Sequence, residues 1–468
     1  MLILDKDSKI SLYMQIYSHY QNLIVSGEIA EGMMLPSIRD LSKNMNVSRN
    51  TVEAAYQQLY SEGYISSKVG SGYLVEKFET NLYEHFKELK TEKEVKQFHE
   101  QGISTIKKYN FQYGRLNVSD FPLSIWRKLL NQTLLSDEID CLTAYNNRTG
   151  ELELRTEIQK YLHESRGVNC EPDQIILRPA TLACISLICQ LLMKNTNTLA
   201  IEEPTYDSAR DVFRNHGFNM ILTPVQEDGL NIDFLKKSEA KAVFITPSHQ
   251  FPTGAVMPIN KRLSLIEWAE QNDSYIIEDD YDSELRYNSR PIPCIQSLDT
   301  TGRVIYINSF SKAFAPGLRM GFVVLPPPLL EIYQTYFSRY NCAVPWLEQK
   351  AMYEFMNQGY WSRHLRKVTN KNKRKHDILI RTIAEVMGER IKIHGRNAGL
   401  HILLEIFNGM KEKELIEKAA EVGVKVYPVS IYWGNKEDYS YNMVLMGFSG
   451  LTETEIIEGI HLLNAAWF

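Results

Sequence analysis

The sequence predicts an α/β protein in three parts: a small helical head, a charged connecting segment, and a large domain built on a mostly parallel sheet with a smaller α+β lobe at its end. Three observations predict it. The chain has 468 residues, more than one ordinary domain holds. Short helix signals crowd the stretch from Leu12 to Tyr73. From about residue 170, apolar runs of four to six residues alternate with amphipathic stretches, the pattern of strands buried on both faces between helices.

In the head, Ser37 can cap a helix running to about Met45, and Asn46-Val47-Ser48 form a turn whose serine caps a second helix. Val52, Ala55, Tyr56 and Leu59 share the inner face of that second helix, which leaves Arg49, Asn50, Glu53 and Gln57 outside. Two short helices joined by a tight turn, the second opening with Arg and Asn, suit the reading of base edges in a DNA major groove. "GYISSKVGSGYLV" follows as two strand-like pieces, a wing to lie against phosphates. Charge alone does not decide between this and a small helical interaction domain: residues 1–77 hold seven basic and eight acidic side chains.

The connecting segment, 78–109, is charged with mixed sign, lacks proline, and repeats Leu82, Phe86 and Leu89 at helical spacing. Beyond it, "QIILRPA", "NTLAIEEP", "KAVFITP", "SYIIEDDY" and "RVIYINSF" read as the sheet strands. After about Arg363, "GLHILLEI", "VGVKVYPV" and "YNMVLMGFSG" read as the smaller lobe. Hydrophobic residues at 44% and charged residues at 23% describe a globular chain, and a net charge of −5 confines any nucleic-acid contact to a local arrangement. Six cysteines without C-x-x-C spacing imply free thiols in a reducing compartment and no metal site. "MLILDKDSKI" lacks the form of a signal peptide, and "TLACISLICQLLM" is too short to span a membrane, so a cytoplasmic protein is expected.

A lysine such as Lys312 in "SFSKAFAPGLRMG" is by itself ordinary, since most lysines are solvated surface charges. Its surroundings are less so. "VIYIN" delivers it to the carboxyl edge of a buried sheet, where ligand sites of α/β proteins form. Ser309, Ser311 and Arg319 flank it with groups suited to a phosphate, and "YIIEDDYDSE" brings Asp279 and Tyr281 to the same edge. An amine able to form a Schiff base, a carboxylate to keep a pyridine nitrogen protonated, and an Arg/Ser cup together meet the needs of pyridoxal phosphate.

Two resemblances follow. "LPSxRxLxxxxxVSRNTVxxAYxxLxxEGY" with its "GSGY" wing resembles the GntR-type winged helix-turn-helix, over roughly Ile10 to Val75. "EEPTYDSAR", "TPSHQFPTG", "EDDYDSE" and "SFSKAFAPGLRMG" occur in the order and spacing of fold-type I aminotransferases. The whole chain thus resembles the MocR/GabR subfamily of GntR regulators. The resemblance implies an N-terminal winged helix-turn-helix over 1–77, the linker over 78–109, and a fold-type I PLP-dependent aminotransferase-like domain over 110–468. It implies that Lys312 forms the internal aldimine, Asp279 partners the pyridine nitrogen, Tyr281 bonds the ring hydroxyl, Tyr206 stacks on the ring, and Ser309 and Arg319 bind phosphate, to which the neighbouring Ser311 is also suited. In the head it implies DNA contacts from Arg39, Ser48, Arg49, Asn50 and Thr51, with Lys68 and Gly70 in the wing. Double-stranded operator DNA, a small-molecule effector and a second copy of the chain are the implied partners, each head reaching across to the other copy's large domain.

Two departures from the aminotransferase pattern stand out. The phosphate turn reads "RPATLA", where Thr181 can still serve but Ala180 replaces a glycine. Phe251 stands where an Asn precedes Pro-Thr-Gly, so a polar contact to the ring hydroxyl is expected to pass to Gln250. Both changes spare cofactor binding more than efficient catalysis. The expected function is therefore a regulator that senses an amine, an amino-acid-like effector or pyridoxal phosphate itself. The alternatives are a working aminotransferase with a vestigial head, and a head on a domain that no longer binds cofactor.

Overall fold

The structure, a computed structural model, describes residues 4–8, 10–68, 72–77, 108–287 and 292–468. The chain forms two compact units, Met1–Gly102 and Ile103–Phe468.

The first unit contains α1 (Leu12–Val25), α2 (Ile38–Met45), α3 (Arg49–Ser61) and the antiparallel pair β1 (Ile65–Lys68) and β2 (Gly72–Val75). Both expected caps form: Ser37 Oγ accepts from the Asp40 N–H and Ser48 Oγ from the Thr51 N–H, each at 3.1 Å. Between them Asn46 turns the chain at φ 50°, a left-handed conformation that Asn tolerates better than most residues. The inner face of α3 is the expected one: Val52, Ala55, Tyr56 and Leu59 are fully buried and pack with Ile16, Tyr20 and Leu41. Removal of a side chain such as Tyr56 is expected to cost about 3–5 kcal/mol, a large share of what so small a core supplies. The periodic Leu82, Phe86 and Leu89 lie outside the described residues.

The second unit opens with β3 (Tyr109–Asn110), so Tyr109, expected to end the linker, already belongs to a strand. There follow α4 (Leu123–Leu134), α5 (Leu152–Arg166), β4 (Ile175–Arg178), α6 (Ala180–Leu192), β5 (Thr198–Glu203), α7 (Asp207–Asn215), β6 (Asn219–Gln226), β7 (Gly229–Leu230), α8 (Ile232–Lys236), β8 (Ala242–Ile245), α9 (Ile259–Gln271), β9 (Tyr275–Asp279), β10 (Val304–Ser309) and β11 (Gly321–Val324). Their eight strands form one sheet in the order β4-β11-β10-β9-β8-β5-β6-β7. Pairing is parallel from β10 to β6, while β11 runs antiparallel to both neighbours. Successive residues serve opposite faces. Ile176, Ile277 and Ile307 join the core under α6 and α7, whereas Leu177, Tyr306 and Phe322 join the core under α4 and α5.

All five expected strands are present, and the sheet's other three, β6, β7 and β11, were not anticipated. The smaller lobe carries α12 (Tyr360–Met387) after α10 (Pro327–Tyr336) and α11 (Trp346–Asn357), then β12 (Ile391–His394), β13 (His401–Ile406), α13 (Glu412–Glu421), β14 (Val424–Lys425), β15 (Tyr427–Pro428), β16 (Met443–Gly447) and α14 (Glu453–Trp467). Its antiparallel sheet runs β12-β13-β16-β15, and β14 pairs in parallel with β3. Residues from both ends of the unit thus build one lobe.

Candidate functional site

The carboxyl ends of β4, β5, β9 and β10 open on one cavity of about 300 Å³. Lys312, Asp279, Tyr281, Tyr206, Ser309, Ser311, Arg319 and Thr181 all line it, brought together from four separate stretches of sequence. Gln250 does not. It is buried and its amide is consumed internally: Nε2 donates to the carbonyls of Pro204 and Phe251, and Oε1 accepts from Thr253. The expectation that Gln250 replaces the missing Asn is therefore corrected, because a side chain bonded on both sides has nothing left for a ligand.

The acidic run Glu278–Asp282 is sorted by the fold. Glu278 accepts from the N–H groups of Ile295 and Gln296 at 2.9 and 3.0 Å. Asp280 accepts from Arg166 and from the Tyr306 hydroxyl, both at 2.7 Å. Asp282 is bonded to His249 Nδ1 at 2.8 Å. Asp279 remains, at the end of β9, with Oδ1 buried and no hydrogen-bond partner. Burial first, and then the charges of Asp280 and Asp282, push its carboxyl up to about 8, against the pull of Lys312. An orphaned carboxylate on the cavity floor fits a cationic ring nitrogen.

Burial draws the Lys312 ammonium down to about 8, with Asp282 and then Asp279 opposing. Its Nζ stands 4.0 Å from the centroid of the Tyr113 ring. Tyr113 stacks on Phe251 at 5.2 Å and meets His401 edge-on at 4.8 Å. The Tyr281 hydroxyl donates to the His249 carbonyl at 2.9 Å, and Tyr206 meets Phe251 edge-on. Tyr113 and His249 were not assigned to the site by sequence, and Phe251 was read there only as the loss of a polar contact. Tyr113 lies 199 positions before Lys312 and has no chemistry of its own to mark it.

At the other end of the cavity, α6 starts without a side-chain cap, so its first N–H groups open on the space beside Thr181. Ala180 was expected to lack the freedom of the glycine it replaces, yet it adopts φ 67°. The next strand makes the room: a Cβ on Gly321 would lie 3.1 Å from Ala180 Cα. Arg319 is exposed at the rim, and an uncapped helix N-terminus beside a guanidinium forms an anion cradle. A dianion, an aromatic cation and an amine-reactive centre therefore each find a fitting partner, which is the donor set of pyridoxal phosphate.

In the head, Arg39, Arg49 and Asn50 are exposed, the last two at the start of α3. Ser48 and Thr51 hydroxyls lie 2.8 Å apart and are occupied with the cap. Lys68 ends β1, and Gly70 lies outside the described residues. Among the described residues, no helix is long and apolar enough to cross a membrane.

Comparisons agree with this division. Residues 110–432 match "Aminotransferase class I and II" and residues 12–75 match "Bacterial regulatory proteins, gntR family". The HTH-type transcriptional regulator YdeL of Bacillus subtilis is 37% identical over 99% of this chain and 98% of its own length. The probable rhizopine catabolism regulatory protein MocR of Rhizobium meliloti is 29% identical over 100% of this chain and 96% of its own. The multiple substrate aminotransferase of Thermococcus profundus superposes with a TM-score of 0.70 at 24% identity, over 78% of this chain and 92% of its own, and shares the fold. The chain belongs to the MocR/GabR-type GntR regulators, in which a DNA-binding helix-turn-helix head is joined to an aminotransferase-like domain that binds pyridoxal phosphate.

Proposed function

We propose that the large unit anchors pyridoxal phosphate covalently on Lys312, and that occupancy of this site by a small amine, or by the cofactor itself, is the signal passed to the DNA-binding head. The observation that carries the reading is the sorting of Glu278–Asp282, which leaves Asp279 alone with a free buried oxygen on the cavity floor. When bound, the cofactor supplies an aldehyde for amines and an electron-withdrawing ring. The chain's own residues do the rest. Asp279 would hold a proton on the ring nitrogen, and the Tyr281 oxygen, whose own proton goes to the His249 carbonyl, would accept from the ring hydroxyl. Tyr206 covers the ring, while Ser309, Ser311, Thr181, the start of α6 and Arg319 hold the phosphate. Lys312, brought near neutrality, keeps a nucleophilic fraction at physiological pH.

Lys312 and Arg319 are the cations among the residues lining the cavity. The nearby Arg210 is buried and spends both terminal nitrogens of its guanidinium on the carbonyls of Ile431 and Tyr432. Ser430 donates to Glu412, whose carboxylate also accepts the N–H groups of Val429 and Ser430. Arg115, Arg148 and Arg396 are exposed. Among the described residues lining the cavity, a ligand carboxylate thus finds no planar fork besides Arg319, which the phosphate would take, so amines fit better than α-amino acids. In the head, the exposure of Arg49 and Asn50 at the start of α3 supports base reading by these two, and the exposure of Arg39 supports a phosphate contact. A homodimer is supported by exposed apolar surface at Val118, Leu135 and Tyr145, each at least 87% exposed.

A second reading, a working aminotransferase with a vestigial head, is favoured by the Lys312 ammonium being drawn down to about 8, so that it loses its proton readily; rapid multi-turnover transamination of a common amino acid would establish it. The proposal itself is tested by borohydride reduction of the loaded protein, digestion and mass spectrometry. The adduct is expected on Lys312. Lys312→Ala protein that retains the cofactor's visible absorbance band unchanged would overturn the assignment.

A further inference from the structure

We propose that Tyr113 is a positioning residue that registers the state of the Lys312 amine and passes it to the segment leading to the head. This rests on the reading of Lys312 as the cofactor anchor. The π face of Tyr113 lies 4.0 Å from Lys312 Nζ, a cation–π contact that exists only while that nitrogen is charged and in place. Next to it, Gly114 approaches so closely, at φ 81°, that a Cβ there would sit 2.9 Å from the same Nζ. The backbone thus bends around the amine, and only glycine permits it.

The other contacts of Tyr113 tie it to the smaller lobe. Its ring stacks on Phe251 and abuts His401 at the start of β13. Its Cα passes Gly447 at the end of β16, where a Cβ would come within 2.5 Å. Two residues upstream, the Phe111 N–H donates to the Lys425 carbonyl, and the Phe111 carbonyl accepts from the Gly447 N–H. Asn110 and Tyr109 form β3, paired with β14, and Asn110 accepts from the Tyr427 hydroxyl. From Tyr113, in contact with the amine, to Tyr109 the covalent path is therefore five residues, held to the lobe at nearly every step. Whatever takes the Lys312 nitrogen away from the ring, or removes its charge, releases Tyr113 at the end of a strand whose other end enters residues 78–107.

The test is amide hydrogen exchange across Tyr109–Gly114 in the full chain, with and without pyridoxal phosphate. Loading is expected to speed exchange of these amides about fivefold, the ratio that one cation–π contact supplies. Tyr113→Phe, which keeps the π face, is expected to preserve the difference; Tyr113→Leu is expected to abolish it by making the unloaded protein exchange fast already. Operator affinity measured in parallel should respond to loading in wild type and Tyr113→Phe, and not in Tyr113→Leu. Equal exchange in loaded and unloaded wild type overturns the inference whatever the variants do, as does a Tyr113→Leu protein with the full wild-type difference. If no borohydride-fixed adduct forms on Lys312, the anchoring assignment fails instead, so the two failures are distinguishable.

Discussion

Asp279→Asn separates what the carboxylate costs the empty protein from what it contributes to the loaded one. In the empty cavity the carboxyl titrates at about 8 rather than its ordinary 3.8. At 1.36 kcal/mol per unit, keeping it ionised costs up to about 6 kcal/mol, an upper bound because water and relaxation share the charge. The sign follows from proton binding. Between pH 3.8 and about 8 the folded protein holds a proton that the unfolded chain releases, so this group's contribution falls as pH rises and is lost fully above about 8. Asparagine cannot ionise. The advantage of the cofactor-free variant over wild type in denaturant unfolding should therefore begin near pH 3.8, grow as pH rises, and at pH 9 exceed its value at pH 5 by at least about 1 kcal/mol, a small part of that bound. With cofactor the order reverses: losing a hydrogen bond to a charged group should weaken loading by about 1.5–3 kcal/mol, roughly 10- to 150-fold. A variant less stable than wild type at pH 9 without cofactor, or one that loads equally well, would refute the role given to Asp279.

Arg49→Ala should weaken operator binding by about 1–3 kcal/mol in a gel-shift titration while leaving the cofactor absorbance intact, and wild-type affinity should fall with salt. Undiminished affinity would count against α3 as the reading helix. Ala180→Gly should raise stability by up to about 1 kcal/mol, since φ 67° is strained for alanine, without weakening cofactor binding. Gly321→Val should do the opposite, because its Cβ would press on Ala180 at 3.1 Å and shift the start of α6; loading should drop more for pyridoxal phosphate than for pyridoxal. The rate at which Lys312 captures cofactor should rise with pH and level off above about 8, as the ammonium loses its proton; a flat profile would contradict the depressed amine.

The strands β4, β5, β8, β9 and β10 were legible because each carries consecutive apolar residues with polar ones only towards its ends, a pattern that a doubly covered sheet absorbs. β11 was not: "GFVV" follows a Pro-Gly turn so closely that it reads as the tail of the lysine motif, and its reversed direction depends on pairing with β4, a partner 145 residues earlier. The same limit governs the site. Lys312, Asp279 and Arg319 announce themselves by chemical type beside strand ends, whereas Tyr113 acquires its place through β3–β14 pairing that no local pattern encodes. Gln250 shows the converse error, a residue of suitable type in a suitable motif whose hydrogen bonds turn inward.

The reversed direction of β11 has a kinetic consequence. Because the chain doubles straight back from β10 to β11 without a crossover helix, the eleven residues 310–320 carry both the amine of Lys312 and the guanidinium of Arg319. A molecule that docks a phosphate at one side of this loop presents its other end to the amine intramolecularly, at an effective concentration far above its concentration in solution. Capture should then be fast at trace cofactor levels and slow for any aldehyde that lacks the phosphate, so the loop acts as a filter against the many other carbonyl compounds it encounters.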